Sequence, residues 1–280
     1  MREYPISVLD AFAERPLAGN QLAVVHDAAD LTDEQMQAVA REMNFSETTF
    51  ITRAQAGRAS VRIFTPTWEL PFAGHPTLGT AWELTQGQGQ IVLELKVGDV
   101  EVAFADGVGW MTPPQVRFHG EWDVDMAARL IGLQTAAIAR DLPVEFAEVG
   151  PKFVLIPVAR LEDLRLATLD GGLHGRLLEE GLGVQCVFLF CAEAYGAEAD
   201  YASRMFFNSA GVREDPATGS ANTAFAAYLR RHRGNLGRVV VDQGVEIHRP
   251  SRLYLDVNDE IRVGGRTHRV LRGQLIPGHG

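Results

Sequence analysis

Short apolar runs recur along the chain and predict many β-strands rather than a few long helices. In the first half these runs cover 6–9, 22–25, 48–52, 61–64, 91–95, 100–104 and 108–111. In the second half they cover 146–149, 153–158, 184–190, 201–207, 238–241, 252–256, 260–263 and 268–274. Gly-Asp at 98–99, Asp-Gly at 106–107, the segment 257–259 and Gly-Gly at 264–265 predict hairpin turns between neighbouring runs.

One amphipathic helix is predicted directly after Leu31. Thr32 as N-cap and Gln35 as its partner predict a capping box, and Leu31 with Met36 predicts a hydrophobic staple. The apolar stripe of this helix consists of Met36, Val39, Ala40 and Met43. A further helix is predicted at 126–131.

Two other segments have helical character but no charged face. The first runs from Gly74 to the first charge at Glu83, and the second runs from Gly219 to Arg230. A helix without a polar face has to be buried on all sides. Each segment is therefore predicted to form the centre of a layer of strands.

Both segments begin with the same short phrase, repeated after 145 residues: Pro71-Phe72-Ala73-Gly74-His75 and Pro216-Ala217-Thr218-Gly219-Ser220. Each copy follows an acidic residue, Glu69 or Asp215, and a strand that contains Arg-x-Phe, at 62–64 or 204–206. The first N–H groups of a buried helix need an acceptor inside the protein. Two such helix starts predict a two-lobed protein that holds one anion between its halves.

The repeat therefore predicts an α+β fold of two pseudo-symmetric lobes, each a curved, mostly antiparallel sheet wrapped around a central helix. The N-terminal lobe is placed at 1–118 and the C-terminal lobe at 124–267, and the last strand near 268–280 is a candidate to return to the first lobe. Two prolines at 113–114 break the strand pattern, so 114–123 is predicted to be a linker.

Composition limits the possible partners. The chain has 280 residues, of which 46% are hydrophobic, enough for one large core or two ordinary ones. A net charge of −10 argues against nucleic-acid binding, which needs clustered Lys and Arg. No stretch approaches the roughly 20 apolar residues of a membrane span, and the first ten residues lack the apolar length of a signal peptide. The sequence predicts a cytoplasmic protein with no membrane or nucleic-acid partner.

The two cysteines offer little chemistry. Cys186 and Cys191 flank a predicted strand, and their odd separation places them on opposite faces, so they cannot pair or share a metal. Both are predicted to be small buried apolar residues in a reducing compartment.

Glu47 has two interpretations. From its position alone it is a solvated charge in a surface loop. However, Phe45 and Phe50 flank it, and Ser46 and the threonines at 48–49 offer hydroxyl groups to a partly buried carboxylate. A carboxylate in such a setting can exchange protons near neutral pH.

Two residues at the helix starts are also ambiguous. Asp215 followed by Pro216 is a common N-cap and N1 pair, so Asp215 is either a helix cap or a functional carboxylate. His75 before Pro76 has the same expected geometry, but histidine is a poor cap, which favours a functional role. Gly74 and Gly219 are predicted to allow close backbone approach to a ligand or a facing helix. Ser220 and Thr218 are candidates either to cap the helix or to bind a ligand oxygen.

Several chemistries have no sequence support. There is no His/Cys/Asp cluster with metal spacing, no P-loop, no Gly-x-Gly-x-x-Gly run after a strand, and no Gly-x-Ser-x-Gly motif. The sequence therefore predicts activity without a cofactor or a metal.

The chain resembles the PhzF-like phenazine biosynthesis family over nearly its whole length. The resemblance rests on four ordered motifs: Ser46-Glu47-Thr48-Thr49-Phe50, Phe64-Thr65-Pro66, Glu69-Leu70-Pro71-Phe72-Ala73-Gly74-His75-Pro76-Thr77 and Glu214-Asp215-Pro216-Ala217-Thr218-Gly219-Ser220-Ala221. It implies a diaminopimelate epimerase-like fold and a homodimer. It also implies that Glu47 moves a proton across a substrate ring, while His75, Asp215 and Ser220 position the substrate and assist. Paired catalytic cysteines, used by diaminopimelate epimerases and proline racemases, are absent from these motifs here.

Residues and resemblance together predict an isomerase that moves a proton on a small carboxylate, expected to be cyclic and unsaturated, with Glu47 as acid/base. The helix starts at Gly74-His75 and Gly219-Ser220 would bind the carboxylate. One alternative is an epimerase or lyase that uses Glu47 on an amino or hydroxy acid. Another alternative, from a different class, is a non-catalytic carboxylate-binding dimer.

Overall fold

The chain forms two units in a computed structural model that describes residues 2–208 and 212–277. The first unit comprises Met1–Pro113 together with Gly264–Gly280, and the second comprises Pro114–Val263. The predicted lobes, 1–118 and 124–267 with a return of the last strand near 268–280, stay a prediction.

The first unit consists of strands and two helices. Its strands are β1 (Tyr4–Ala11), β2 (Asn20–Val25), β3 (Glu47–Gln55), β4 (Arg58–Phe64), β5 (Glu69–Leu70), β6 (Gln90–Leu95), β7 (Gly98–Ala105), β8 (Val108–Met111) and, from the end of the chain, β18 (Thr267–Leu275). Its helices are α1 (Asp33–Met43) and α2 (Gly74–Thr85), with a 3₁₀ turn at Ala28–Asp30.

These strands pair in the order β18-β1-β2-β3-β4-β6-β7-β8. The β2–β3 and β4–β6 pairs are parallel and the other pairs are antiparallel, while β5 makes a short antiparallel pair with β4. Each parallel pair has a helix in its connection, α1 in the first and α2 in the second, as a crossover requires.

The second unit has more helices. Its strands are β9 (Arg117–Glu121), β10 (Glu145–Glu148), β11 (Lys152–Pro157), β12 (Cys186–Cys191), β13 (Tyr201–Asn208), β14 (Val212–Asp215), β15 (Gly237–Gln243), β16 (Ser251–Val257) and β17 (Ile261–Gly265), which contains the unit boundary. Its helices are α3 (Val124–Leu130), α4 (Leu161–Leu166), α5 (Gly171–Glu179) and α6 (Gly219–Arg233), with a 3₁₀ turn at Thr135–Ala137.

The second unit repeats the strand order of the first. Its strands pair in the order β9-β10-β11-β12-β13-β15-β16, with β11–β12 and β13–β15 parallel, and β14 paired with β13. The succession of parallel and antiparallel pairs matches the first unit strand for strand, so that β3 corresponds to β12, β4 to β13, and β6 to β15. The predicted internal repeat is thus a repeat of topology.

The two central helices are buried as predicted. In α2, residues 74–81 are buried, and in α6, residues 219–226 together with Tyr228 and Leu229 are buried. Glu83, expected from the sequence to mark the end of the apolar segment, is buried as well. Burial alone would raise the pKa of Glu83, but hydrogen bonds from His26, Ser7 and Arg269 lower it instead. The Glu83 carboxylate accepts from Ser7 Oγ at 2.9 Å and from Arg269 at 3.1 Å.

The predicted capping box is confirmed at the start of α1. Thr32 Oγ1 accepts from the Gln35 N–H, and the Gln35 side chain accepts from the Thr32 N–H. Met36, Val39 and Ala40 of the predicted stripe are buried. Two of the hairpin predictions also hold: Asp106 and Gly107, both with positive φ, connect β7 to β8, and 258–260 connects β16 to β17.

Other local predictions were wrong. The predicted linker at 114–123 contains β9, which pairs with β10. Gly264 and Gly265 lie within β17 rather than in a turn, and both pack closely: a Cβ at Gly264 would lie 2.8 Å from the Gly109 carbonyl and one at Gly265 would lie 2.3 Å from Phe12. The β6–β7 turn lies at 96–97, two residues before the predicted Gly-Asp pair at 98–99. The short helices α4 and α5 were not predicted.

Candidate active site

Glu47 lies at the start of a strand rather than in an open loop. Helix α1 ends at Asn44 in the left-handed conformation, and Glu47 follows as the first residue of β3, paired with Leu22 of β2. His75 is the second residue of α2. Oε2 of Glu47 lies 3.4 Å from Nε2 of His75, and the two side chains are 15% and 4% exposed. The structure therefore brings these two predicted site residues together within the first unit.

The His75 ring is neutral in the folded protein. Burial lowers the pKa of His75 to about 3, against an opposing effect of the Gln21 carbonyl. On the other side of the ring, Nδ1 lies 3.3 Å from Nδ2 of Asn20. Nε2 faces Oε2 of Glu47 without forming a hydrogen bond to it. The 3.4 Å approach is thus a contact between a neutral ring and a carboxyl group, not an ion pair.

His75 does not cap α2, as expected for a residue that is a poor cap. The N-cap of α2 is Ala73, with extended backbone, and the helix already begins at Gly74. Pro76 is the third helical residue, where it has no N–H to satisfy, and Thr77 donates from both its N–H and its hydroxyl to the Ala73 carbonyl. The backbone N–H groups of Gly74 and His75 remain at the helix start, ahead of any intrahelical acceptor.

Asp215 is not an N-cap either. It is the last residue of β14, and the N-cap position of α6 belongs to Thr218. The Thr218 side chain makes no capping bond. Instead its hydroxyl donates to Oδ2 of Asp215 at 2.6 Å. The loop between β14 and α6 is therefore held by a side-chain contact between its two ends.

The start of α6 offers more backbone donors than the start of α2. Gly219, Ser220 and Ala221 each carry an N–H group ahead of the first intrahelical bond, which Asn222 makes to Thr218. Ser220 is buried at this end of the helix, 7% exposed. The structure thus groups Asp215, Thr218 and the predicted Gly219-Ser220 helix start within the second unit.

The sequence repeat predicted that Glu69 and Asp215 are equivalent positions, and this prediction was wrong. In β4–β5, Glu69 lies opposite Phe64, and in β13–β14, Glu214 lies opposite Phe206. Glu69 therefore corresponds to Glu214 and not to Asp215.

The arginine of each Arg-x-Phe strand makes a two-point ion pair with this repeated glutamate. Arg62 binds Glu69 at 2.8 and 3.0 Å, and Arg204 binds Glu214 at 2.9 and 2.6 Å. Arg204 also donates to the carbonyls that end α4, those of Leu164, Arg165 and Ala167. The repeated phrase is thus preceded in both units by a strand pair that an arginine holds together.

Two contacting residues escaped the sequence analysis. Asn20, whose side chain lies 3.3 Å from the His75 ring, and Gln243, which binds the Asp215–Thr218 segment, are separated from their partners by 55 and 28 residues. In the sequence, Asn20 and Gln243 are marked only as polar residues at the end of an apolar strand. Many residues without a functional role share this pattern.

The cysteines belong to neither group. They lie at the two ends of β12, and neither forms a disulfide. Cys191 is buried, and burial raises the pKa of its thiol. Cys186 is partly exposed, so the prediction that both are buried was wrong for Cys186. In the described ranges, no group of three or more His, Cys, Asp or Glu side chains is arranged to hold a metal ion, and no helix is long and apolar enough to cross a membrane.

Comparison with known proteins identifies the fold first. A crystal structure of a phenazine biosynthesis protein of the PhzF family from Bacillus anthracis matches with a TM-score of 0.85 at 26% identity, over 99% of this chain and 100% of that one. A hydroxyproline epimerase from Agrobacterium vitis matches with a TM-score of 0.64 at 11% identity, over 98% and 92% of the two chains, which shows a shared fold. The predicted α+β, diaminopimelate epimerase-like fold is confirmed.

The family follows from the sequence match. The family model of phenazine biosynthesis-like proteins covers residues 9–276. The trans-2,3-dihydro-3-hydroxyanthranilate isomerase of Pseudomonas aeruginosa is 40% identical over 261 residues, which are 88% of each protein. The chain belongs to the PhzF-like phenazine biosynthesis family and is an isomerase of that family.

Proposed function

We propose that this isomerase moves a proton between two carbon atoms of a small carboxylate, cyclic and unsaturated, with Glu47 as the acid/base. The observation that carries this proposal is the 3.4 Å contact between Oε2 of Glu47 and Nε2 of a buried, neutral His75. A carboxyl group that is largely enclosed, and that faces a ring too weakly basic to take its proton, is suited to exchange that proton with a substrate.

The proposed reaction needs two proton transfers. The Glu47 carboxylate takes a proton from a carbon next to the conjugated system, and the electron pair of the broken C–H bond enters that system. The resulting Glu47 carboxylic acid then returns the proton to a different carbon, which shifts the double bonds and restores the carboxylate. Neutral His75 lies against Oε2 of Glu47 and does not compete for the proton that Glu47 carries between the two carbons. One such acid/base typically contributes roughly 10²–10⁴-fold, so orientation and electrostatics have to supply the rest.

The helix starts supply the anion binding in this proposal. N–H groups at Gly74 in α2 and at Gly219 and Ser220 in α6 carry the positive ends of two helix dipoles, which favour a substrate carboxylate. Asp215, positioned by Thr218, would accept a hydrogen bond from an amino or hydroxyl group of a substrate.

No cofactor is required by this chemistry, because an isomerisation of this kind transfers neither electrons nor a chemical group to a second molecule. The homodimer and the cytoplasmic location stay predictions. Light scattering of the purified protein tests the first of them.

The test is a screen of small carboxylates for proton–deuterium exchange in D₂O, followed by NMR. The first compound is trans-2,3-dihydro-3-hydroxyanthranilate, because the Pseudomonas aeruginosa relative is named as its isomerase. Cyclic amino acids and hydroxy acids follow, to represent the epimerase and lyase alternatives. Exchange at carbon with the wild type, lost in Glu47→Gln while the compound still binds, supports the proposal. Exchange that survives in Glu47→Gln, or binding with no exchange for any compound, contradicts it.

A further inference from the structure

We propose that Gln243 is a positioning residue that directs the Thr218 hydroxyl proton onto Asp215 and so fixes the orientation of the Asp215 carboxylate. This inference rests on the proposed role of Asp215 in the reaction. Gln243 is the last residue of β15 and is completely buried. A buried amide in this position is expensive unless all of its hydrogen bonds are made.

All four hydrogen-bonding positions of the Gln243 amide are used. Nε2 donates to the Asp215 carbonyl at 2.9 Å and to Oγ1 of Thr218 at 3.1 Å. Oε1 accepts from the Thr218 N–H at 3.3 Å and from Nδ2 of Asn222 at 3.0 Å. The amide thus binds both ends of the Asp215–Thr218 loop and the first turn of α6 at once.

The partners determine which way the amide points. The Thr218 N–H can only donate and the Asp215 carbonyl can only accept, so a rotated amide would place donor against donor and acceptor against acceptor. With this orientation, Oγ1 of Thr218 receives a hydrogen bond from Nε2. Its own single proton is then directed to Oδ2 of Asp215, 2.6 Å away. The direction of the chain from Gln243 through Thr218 to Asp215 is therefore determined by the amide.

Gly244, the residue after Gln243, brings the end of β15 into direct contact with the Asp215–Thr218 loop. Gly244 has φ of +74°, and a Cβ there would lie 2.5 Å from the Pro216 carbonyl and 2.5 Å from the Arg249 carbonyl. Only glycine fits this backbone position. The end of β15 therefore packs against the loop that carries Asp215 through its main chain as well as through the amide.

The first unit provides an internal comparison. In the first unit, Ser60 of β4 pairs with Glu94 of β6, and in the second unit the equivalent Ala202 of β13 pairs with Asp242 of β15. The residues that follow Glu94 and Asp242, Leu95 and Gln243, therefore occupy equivalent positions. In the same way Leu70 corresponds to Asp215, through Ile63–Leu70 and Met205–Asp215. Two apolar residues thus occupy the positions that an amide and a carboxylate occupy in the second unit. The amide is present where the carboxylate is present, although the fold accepts leucine at both places.

The experiment separates positioning from simple support of the fold. Gln243→Met keeps the volume but removes the hydrogen bonds, Thr218→Val removes the hydroxyl, and Thr218→Ser restores it. Ser203→Ala is the matched control: Ser203 lies on β13 opposite Gln243, and its buried hydroxyl donates to the Asp242 carbonyl rather than to Asp215 or Thr218. Each variant is measured for turnover of trans-2,3-dihydro-3-hydroxyanthranilate, for its melting temperature, and by proton NMR in H₂O for the Thr218 hydroxyl.

We expect a slowly exchanging hydroxyl resonance from residue 218 in the wild type, Thr218→Ser and Ser203→Ala, and its loss in Thr218→Val. In Gln243→Met the hydroxyl should exchange at least about tenfold faster, and kcat should fall by at least about tenfold with a much smaller change in KM. Wild-type kcat in Gln243→Met, whatever its melting temperature, overturns the inference while the proposed function stands. If the wild type turns over no carboxylate, the proposed function fails, and unchanged hydroxyl exchange in Gln243→Met then overturns the inference independently.

Discussion

Leu70 and Asp215 occupy the same position in the two units: each ends the short strand before the repeated phrase, Leu70 opposite Ile63 and Asp215 opposite Met205. The sheet framework is therefore shared, and the carboxylate is specific to the second unit. Conversely, Glu47 starts β3, and the residue at the corresponding position of β12 is Cys186, since Thr48 lies opposite Phe64 as Val187 lies opposite Phe206. A symmetrical fold thus carries different chemical groups in its two halves.

Removal of the Asp215 charge should affect activity more than stability. In Asp215→Asn we expect turnover to fall by at least about tenfold, because the carboxylate that accepts from Thr218 is lost. The free energy of unfolding should fall by about 1–3 kcal/mol. Steady-state kinetics and urea unfolding measure the two effects. Asp170→Asn is the matched control: Asp170 caps α5 through the Leu173 N–H, and asparagine caps a helix as well as aspartate does, so both the free energy of unfolding and kcat should stay close to those of the wild type. Wild-type turnover in Asp215→Asn would leave Asp215 with a structural role.

The buried His75 should make the protein less stable in acid. The pKa of histidine is ordinarily 6.5, and that of His75 in the folded protein is about 3. At a pH between these two values, the unfolded chain binds a proton on His75 that the folded protein does not. The free energy of unfolding is therefore unaffected above about pH 6.5 and falls by up to about 1.4 kcal/mol per pH unit below it from this residue. His174, also buried and with a lowered pKa, acts in the same direction.

Urea unfolding from pH 7 to pH 4 measures this effect. His75→Gln should show a smaller loss of stability over the range than the wild type, and the double variant with His174→Gln a smaller loss still. Equal pH dependence in the wild type and His75→Gln would mean that the ring is protonated in the folded protein.

The ion pairs Arg204–Glu214 and Arg62–Glu69 should contribute differently to the stability of the protein. Arg204 and Glu214 are 8% and 7% exposed, so Arg204→Met leaves a buried carboxylate without its guanidinium and should destabilise by about 3–5 kcal/mol. Arg62 and Glu69 are more exposed, at 28% and 20%, and Arg62→Met should cost roughly 1 kcal/mol or less. Chemical denaturation compares the two. The double variant Arg204→Met/Glu214→Met should recover part of the loss, and a double variant as unstable as the single one would show that the arginine acts mainly through the α4 carbonyls.

The thiols should be dispensable. Because Cys186 and Cys191 lie outside both groups of site residues, Cys186→Ser/Cys191→Ala should keep kcat within about twofold of the wild type. Residual activity is measured on any carboxylate that gives exchange in D₂O. A loss of more than about tenfold without unfolding would favour thiol chemistry of the racemase kind.

Local patterns predicted the parts of this fold that depend on local forces. The strand runs, the capping box at Thr32 and the burial of the two charge-free helices follow from periodicity, capping and side-chain polarity. Short α4 and α5 have few such signals; Gly171, Gly172 and Gly175 give α5 a low helix propensity, and its Asp170 cap is its main mark. The turn expected at Gly264 was wrong because glycine there serves close packing, which no local pattern distinguishes from a turn.

The candidate site could be predicted only in part for the same reason. Glu47, His75 and Asp215 were named as candidates from motifs and flanking residues; of the two interpretations of Asp215, the helix cap was wrong, because Thr218 is the N-cap of α6. An aspartate or histidine before proline is compatible with a helix start at either of two places, and the position of the first turn depends on the strand before it. Asn20 and Gln243 are recognised only through contacts with residues distant in sequence.

The pairing of β18 with β1 has a consequence for biosynthesis. Tyr4 lies opposite Leu275 and Ala11 opposite Thr267, so one edge of β1 pairs with a strand that is synthesised long after it. During translation, β1 has β2 as a neighbour but keeps an unpaired edge until β18 has been made. Since residues 114–263 are synthesised before β18, the sheet of the first unit cannot be completed until the second unit has left the ribosome.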